Sequence, residues 1–465
     1  MGIRGSVISA HQALRVVLAT SLLLMLGADL PGHMSYDSVA QLYEGHFHIR
    51  ETWGPAFYAL MLGLADAVIP GAAILVCING LLFFGSLAGL AALRGRATWP
   101  SVVFAALLAL TPQILIFQGT VWKDLTFVDG SVAAIVCLGH AFARWEQPKM
   151  RWAWLAPTLL LFAIASMVRQ NGILIPVAAS LSLGIVGSRG QWRWFAAWMG
   201  GGLVALVVLI QLMTVTAALH FGAQDGGLQI GTRIVQNYDM AAAVSLDPTY
   251  QLTVVAENQP RVAQIIHDRA PKSWSPDRVD YLDNDPVLVR AINNIPQPVA
   301  QRQWLNLIFN HPGLYLRLRW EEFRWVFLTP IVDRCLPVFT GVDAPAQKMN
   351  RLQLPHRFSP ADRELANYDT YFLDTPVQEH WPWALAALLT LGLTLWRRDR
   401  VDLAVASFML GALAVTASFF IISIACDYRY LLVVDVAGMV GVFYLLLDPT
   451  GFFARSRRPA AADPG

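Results

Sequence analysis

The sequence predicts an all-α polytopic membrane protein with about ten transmembrane helices, an interfacial helix in its first outer loop and a large outer-face insert. Three observations carry that prediction. Of 465 residues, 55% are hydrophobic and only 14% charged, where a soluble domain carries about 25% charged residues. Apolar runs of roughly 15 to 25 residues, close to the length that crosses a bilayer, lie near 14–30, 72–93, 101–118, 126–143, 154–168, 171–187, 195–219, 383–396, 402–425 and 430–447. The stretch 220–382 between the seventh and eighth runs is polar, rich in Pro, Asp, Arg and Trp, and long enough for a compact domain.

The first run follows Arg4 and Arg15 and is read as a retained helix rather than a cleaved signal peptide. Segment 55–70, "PAFYALMLGLADAVIP", begins and ends at proline and contains Asp66, which suits a helix lying in the interface. Charge decides the point. If 55–70 does not span, one set of short connections holds Arg94 and Arg96, Arg144, Lys149 and Arg151, Arg189 and Arg193, and Arg397, Arg398 and Arg400. The opposite set holds only Arg50, Lys123, Arg169 and Arg429. The positive-inside rule then places both chain ends in the cytoplasm and the insert outside.

The segment 154–187 is broken by "RQNG", Arg169 to Gly172. Two short limbs meeting at that turn would hold it at or below the outer surface, where polar backbone is tolerated only next to protein or water. Within the insert, "QPRVAQIIHDRA" and "QRQWLNLIFN" read as short helices, and His311–Pro330 as an amphipathic helix returning to the membrane surface. The domain reading is a transmembrane module over 1–219 with outer loops 31–71, 119–125 and 169–171, the insert 220–382, further transmembrane helices over 383–450, and a cytoplasmic tail 451–465. The net charge of +2 and the lack of a basic block point away from nucleic acid. Cys77 and Cys137 lie in apolar runs. Cys335 and Cys426 either pair, if both face an oxidising compartment, or remain free thiols, and no cysteine spacing suggests zinc.

The unusual charged residues thus share the outer side. The loop "PGHMSYDSVAQLYEGHFHIRETWGP" gathers His33, Asp37, Glu44, His46, His48, Arg50 and Glu51, which reads as the rim of an outward-facing catalytic cavity. Asp37, flanked by Tyr36 and Ser38, is a candidate general base at a partly desolvated edge; alternatively, Asp37 or Ser38 caps a short helix. In "GTVWKDLTF", Lys123 offers a point charge for a phosphate and Asp124 a group that binds a metal or orients a substrate hydroxyl; the alternative is interfacial anchoring by Trp122 and Lys123. Arg169 and Arg429 suit the phosphate of a lipid headgroup, or structural pairing with Asp124 and Asp427. His46 and His48 read as substrate contacts or solvent-exposed residues rather than metal ligands.

Taken together, "YDSVAQL", "WGPAFYALMLGL", "VWKDLTF", "SMVRQNGILIPVA" and "DYRYLLVVDV" resemble, in order and in common side, the outer-face elements of GT-C glycosyltransferases, the group that includes the protein O-mannosyltransferases and aminoarabinose transferases. The usual Asp-Glu pair is here Asp37-Ser38, and the Pro-Pro doublet is reduced to Gly54-Pro55. The resemblance implies inverting sugar transfer from a polyprenyl-phosphate donor to a glycan, lipid or protein acceptor, in a bacterial inner membrane with the site facing the periplasm or exterior. Asp37 would be the base and Asp124 would position the acceptor or a divalent cation. Lys123, Arg169, Asn171 and Arg429 would hold the donor, with Tyr36, His46, His48 and Trp53 as further substrate contacts. No other cofactor is implied. Two other readings stand beside it. One is a lipid-linked oligosaccharide ligase or polymerase, in which Arg261, His267, Arg269 and His311 would dominate. The other is a lipid or sugar transporter, against which the lack of an inverted repeat weighs.

Overall fold

The computed structural model describes residues 8–52, 54–222 and 227–449; Arg4, Trp53 and the tail 451–465 lie outside them. The helices in order are α1 Ala10–Asp29, α2 Tyr36–Phe47, α3 Ala56–Val68, α4 Ala73–Arg94, α5 Trp99–Ala109, α6 Pro112–Leu115, α7 Lys123–Ala143, α8 Pro148–Val168, α9 Leu174–Gly187 and α10 Trp192–Phe221. The insert contributes α11 Gly227–Leu246, α12 Thr253–Asn258, α13 Pro260–Ser273, α14 Pro286–Asn293, α15 Gln297–Asn310, α16 Pro312–Leu328, α17 Ala346–Arg351 and α18 Pro360–Thr370. The chain closes with α19 His380–Arg397, α20 Arg400–Ile422 and α21 Leu432–Leu447. Among the described residues there is no strand, only isolated bridges.

Seven helices are long and apolar enough to cross a membrane, eight if the pair Trp99–Ala109 and Pro112–Gly119, bent by 70°, is one span. By that measure of length and composition, the expected ten is not reached. The run 101–118 breaks because Pro112 opens the second limb and has no N–H to continue the first. The run 430–447 becomes the 16-residue α21, about 24 Å long and short of the ~30 Å hydrocarbon core. The run 383–396 becomes α19, whose 18 residues carry His380, Pro382 and Arg397 among their apolar ones. The break at Arg169 is where the sequence placed it, but its limbs are not half-lengths. Pro148–Val168 has 21 residues and Gln170–Gly187 has 18, so each limb is span-length.

The segment 55–70 folds as α3, whose 13 residues extend about 20 Å, too few to span. It packs against α2 at a crossing with no room for a side chain: a Cβ on Gly45 would lie 2.1 Å from the Ala59 carbonyl oxygen, and one on Gly63 2.5 Å from that of Gly45. This α2–α3 hairpin presents Asp37, in the first turn of α2. Asp37 and Ser38 are therefore not caps; Ser35 stands at that position.

Two apolar cores organise the chain. The larger joins the long helices to Val326, Cys335, Val342 and Met349 of the insert's second half. The smaller, around Tyr238, Val255, Ile266, Leu288 and Leu318, belongs to the first half. At the contact between them, Arg319 is fully buried with Asp239 at 2.9 Å and Glu322 at 2.7 Å, and it donates to the Ser423 carbonyl at 3.0 Å. α16 thus packs against the bundle, with an ion cluster at the contact. Just beyond Ser423, Val279 and Cys426 exchange backbone hydrogen bonds with Ile424 and Asp277 at 2.8 and 2.9 Å, and a Cys335–Cys426 disulfide forms. The segment carrying Asp427 and Arg429 is held from both sides by the insert.

Candidate functional site

The ends of α7, α8 and α20 meet α2, α11 and α15 around a cavity of about 330 Å³. Asp37, Lys123, Arg169, Asn171 and Arg429 line it, together with Trp304 and Tyr430 and an apolar wall including Val168, Phe419, Ile421, Ile422 and Ile424. Chain elements hundreds of residues apart therefore place one carboxylate, two guanidiniums and the Lys123 amine on a single concave surface.

Arg429 is the hub. Its Nη2 donates to Asp37 Oδ2 at 2.6 Å and to Asp427 Oδ2 at 3.1 Å, its Nε lies 4.0 Å from Asp124 Oδ2, and its guanidinium sits over the Trp122 ring at 4.8 Å. Burial opposes its charge, but Asp427 and Asp37 outweigh burial and hold the guanidinium above its ordinary range. Asp427 also accepts from Arg278 at 3.3 Å. Arg169 pairs with Asp124, donates to Asn171 Oδ1 and the Tyr430 carbonyl at 3.2 Å each, and lies over the Phe419 and Tyr430 rings. Burial brings it down to about 10, so it stays cationic at neutral pH. Asn171 in turn donates to Ser418 at 3.2 Å.

Both pairings considered as the structural alternative, Asp124 with Arg169 and Asp427 with Arg429, are therefore present, and the same arginines line the cavity. Asp124 sits behind it, 1% exposed, turned to two guanidiniums. Among the described residues no group of three or more His, Cys, Asp or Glu side chains is placed to hold a metal. The residues present do not fit a divalent ion held by Asp124. Asp37 differs from Asp124 in being half exposed at the mouth, at 48%.

The remaining expected contacts lie elsewhere. Tyr36 is exposed and not part of the cavity lining. His46 bonds Asp66 at 2.6 Å, and His48 faces His220. The crowded first loop is mostly self-supporting. Glu44, fully buried, pairs with Arg50 and accepts the Glu51 N–H at 2.8 Å. His33 bridges Asp29 at 3.1 Å and the Gly341 N–H at 3.0 Å, and Glu51 pairs with Lys348. Of that loop's titratable groups, only Asp37 lines the cavity. The residues assigned to a ligase are also remote: Arg269 pairs with Asp285 at 2.7 Å, His267 contacts the Pro248 carbonyl, and Arg261 and His311 are exposed. Trp304 and Tyr430, by contrast, reach the cavity without any local signal beyond being aromatic in a polar segment.

No known family profile matches the chain, and no curated protein matches it. Among solved structures, the chain is similar to the Archaeoglobus fulgidus oligosaccharyltransferase in complex with zinc and sulfate. The identity is 12% over 94% of this chain and 49% of that one, with a TM-score of 0.45. The archaeal oligosaccharyltransferase of the same organism in complex with an inhibitory peptide and a dolichol-phosphate matches at 12% identity, 97% and 52% coverage and a TM-score of 0.42. Its apo form gives 12%, 94%, 50% and 0.43. The chain spans about half the length of these structures.

Proposed function

We propose that this chain is a GT-C-type membrane glycosyltransferase. It moves a sugar from a polyprenyl-phosphate donor to an acceptor hydroxyl on the outer face of the membrane, with inversion at the anomeric carbon. The observation that carries the reading is the convergence of Asp37, Lys123, Arg169 and Arg429 on one cavity whose opposite wall is apolar. A phosphate joined to an isoprenoid needs both surfaces at once.

In this mechanism the donor phosphate enters beside Arg429, Arg169 and Lys123. The guanidinium that now bonds Asp37 at 2.6 Å turns part of its fork to the phosphate, freeing the Asp37 carboxylate for the acceptor. Asp37 takes the proton from the acceptor hydroxyl as its oxygen bonds to the anomeric carbon. The carbon–oxygen bond to the phosphate breaks on the opposite face, and the phosphate leaves with the electron pair. Its added charge develops next to preorganised cations in a partly desolvated site, where such stabilisation is largest. The ion pairs behind the cavity, Asp124 with Arg169 and Asp427 with Arg429, hold the two guanidiniums in place before substrate arrives. The Cys335–Cys426 bridge supports the outward orientation, because disulfides persist in oxidising compartments.

The test is transfer from a panel of polyprenyl-phosphate sugars to membrane extracts in proteoliposomes, comparing wild type with Asp37→Ala at equal expression. Transfer that depends on Asp37 is the expected result. Transfer retained in Asp37→Ala removes the base assignment, and no transfer with any donor removes the enzyme reading.

A further inference from the structure

A second polar cavity lies against the first. α11 is the wall between them: Gly231, Thr232 and Val235 face the site described above, while Ile234 and Asn237, on the adjoining stripe of the same helix, face a pocket of about 220 Å³. Asp280, Asp283 and Asn293 complete its polar lining, and Val279, Leu282 and Ile292 its apolar floor. At about 30 Å³ per water, the space is that of a single ring rather than a chain.

The polar groups there are mostly acceptors awaiting a donor. Asn237 is 9% exposed; its amide donates weakly to Asn293 Oδ1 at 3.4 Å, and its own buried carbonyl oxygen has no hydrogen-bond partner. A buried unpaired acceptor is destabilising, and a hydroxyl-bearing ligand would relieve it. Asp280 and Asp283 add carboxylates at the rim. A chain of charges links this pocket to the first cavity. Asp280 lies 3.9 Å from Arg278, Arg278 is 3.3 Å from Asp427, Asp427 is 3.1 Å from Arg429, and Arg429 is 2.6 Å from Asp37. The two sites therefore share one electrostatic neighbourhood.

We propose that this pocket between α11, the Val279–Asn284 turn and α14 is an acceptor subsite that takes a neutral, hydroxyl-rich ring, a sugar unit of a glycan acceptor. The proposal rests on the transfer reading of the neighbouring cavity. The chemistry fits a pyranose better than a cation. An apolar floor covers the C–H face of a ring, while amide and carboxylate oxygens at the edge receive its hydroxyls. A cation would leave the aliphatic floor unused, and the described residues assemble no three-ligand group to hold one.

The experiment is saturation-transfer NMR of the full detergent-solubilised chain with methyl α-mannoside, methyl β-glucoside and maltotriose, and calorimetric titration with calcium chloride in parallel. Binding of at least one sugar is expected, weakened tenfold or more in Asn237→Ala and in Asp283→Ala. Asp283 is exposed, so its variant keeps the test valid if Asn237→Ala fails to fold. Three outcomes overturn the proposal: no sugar bound, sugar binding insensitive to both pocket variants, or saturable calcium binding lost in Asp283→Ala in place of sugar binding. Sugar binding does not require turnover. Loss of the transfer reading with the pocket intact would therefore appear as bound sugar without any transfer.

Discussion

Replacing Arg429 with alanine separates its catalytic part from its structural one, because the structure supplies substitutes for each carboxylate it would abandon. Asp427 keeps Arg278 at 3.3 Å, Asp124 keeps Arg169, and Asp37 is half exposed to water. Neither buried acid is left alone, so the stability loss is that of a few exchanged hydrogen bonds and one contact over Trp122, about 1–2 kcal/mol. For the donor the loss is larger. A guanidinium fork on a phosphate contributes charge-assisted hydrogen bonds worth roughly 1.5–3 kcal/mol each, not fully additive. A net loss of about 2–4 kcal/mol corresponds to ~30- to 1,000-fold in kcat/KM for the donor. Arg429→Lys restores the charge but not the fork and should recover about tenfold of that loss. The assay is donor-dependent transfer in proteoliposomes, with insert folding checked by limited proteolysis. A folded Arg429→Ala within threefold of wild type, or a lysine variant equal to wild type, would refute the role assigned to the fork.

Four further outcomes are expected. Asp37→Asn keeps an acceptor for Arg429 but removes the base, lowering kcat by about 10²–10⁴; a rate within threefold of wild type would count against it. Arg319→Ala leaves Asp239 and Glu322 buried without their cation, costing about 3–5 kcal/mol, and the insert should become protease-sensitive at lower denaturant; an unchanged cleavage midpoint would contradict this. Replacing Cys335 and Cys426 by serine opens a crosslink across 91 positions, worth at most about 4–5 kcal/mol by chain entropy, so insert unfolding in wild type should depend on reductant and in the variant should not. Asp369 is raised to about 6, mainly by burial, with Gln378 opposing. The folded chain therefore holds its proton more tightly than the unfolded one, and this group favours folding below about pH 4 and loses that effect as pH rises through about 6. Asp369→Asn should be more stable than wild type at pH 8, by on the order of 1 kcal/mol, and the difference should vanish by pH 4; a difference independent of pH would exclude the assignment.

Helix existence was legible from composition because lipid-length apolar runs leave few alternatives, and the non-spanning nature of 55–70 followed from its prolines and from the charge pattern. Span number was less legible. Run length alone does not report that Pro112 turns the chain by 70° or that α21 stops at 16 residues. Asp37, Lys123, Arg169 and Arg429 stood out because charge is rare in such a chain, and they line one cavity. His46 and His48 stood out for the same reason, and they contact Asp66 and His220. Rarity marks a residue as costly, but an ion pair such as His46 with Asp66 meets that cost as well as a substrate does.

The amino-acid sequence by itself determined a helical chain rich in lipid-length apolar runs and a polar break at Arg169. These are local or additive properties, set by hydropathy and backbone chemistry within a few residues. Only the tertiary structure decided which of the chain's charges meet. Arg429 lies 392 positions from Asp37, and their 2.6 Å contact depends on the Gly45–Gly63 crossing that aims α2, on the insert segment at Asp277–Val279 that grips Cys426, and on Arg319 pinning α16 to Ser423. None of these is encoded by spacing along the chain. Each arises from packing, where a carboxylate finds its nearest cation in space and the surplus polar groups are left lining a cavity.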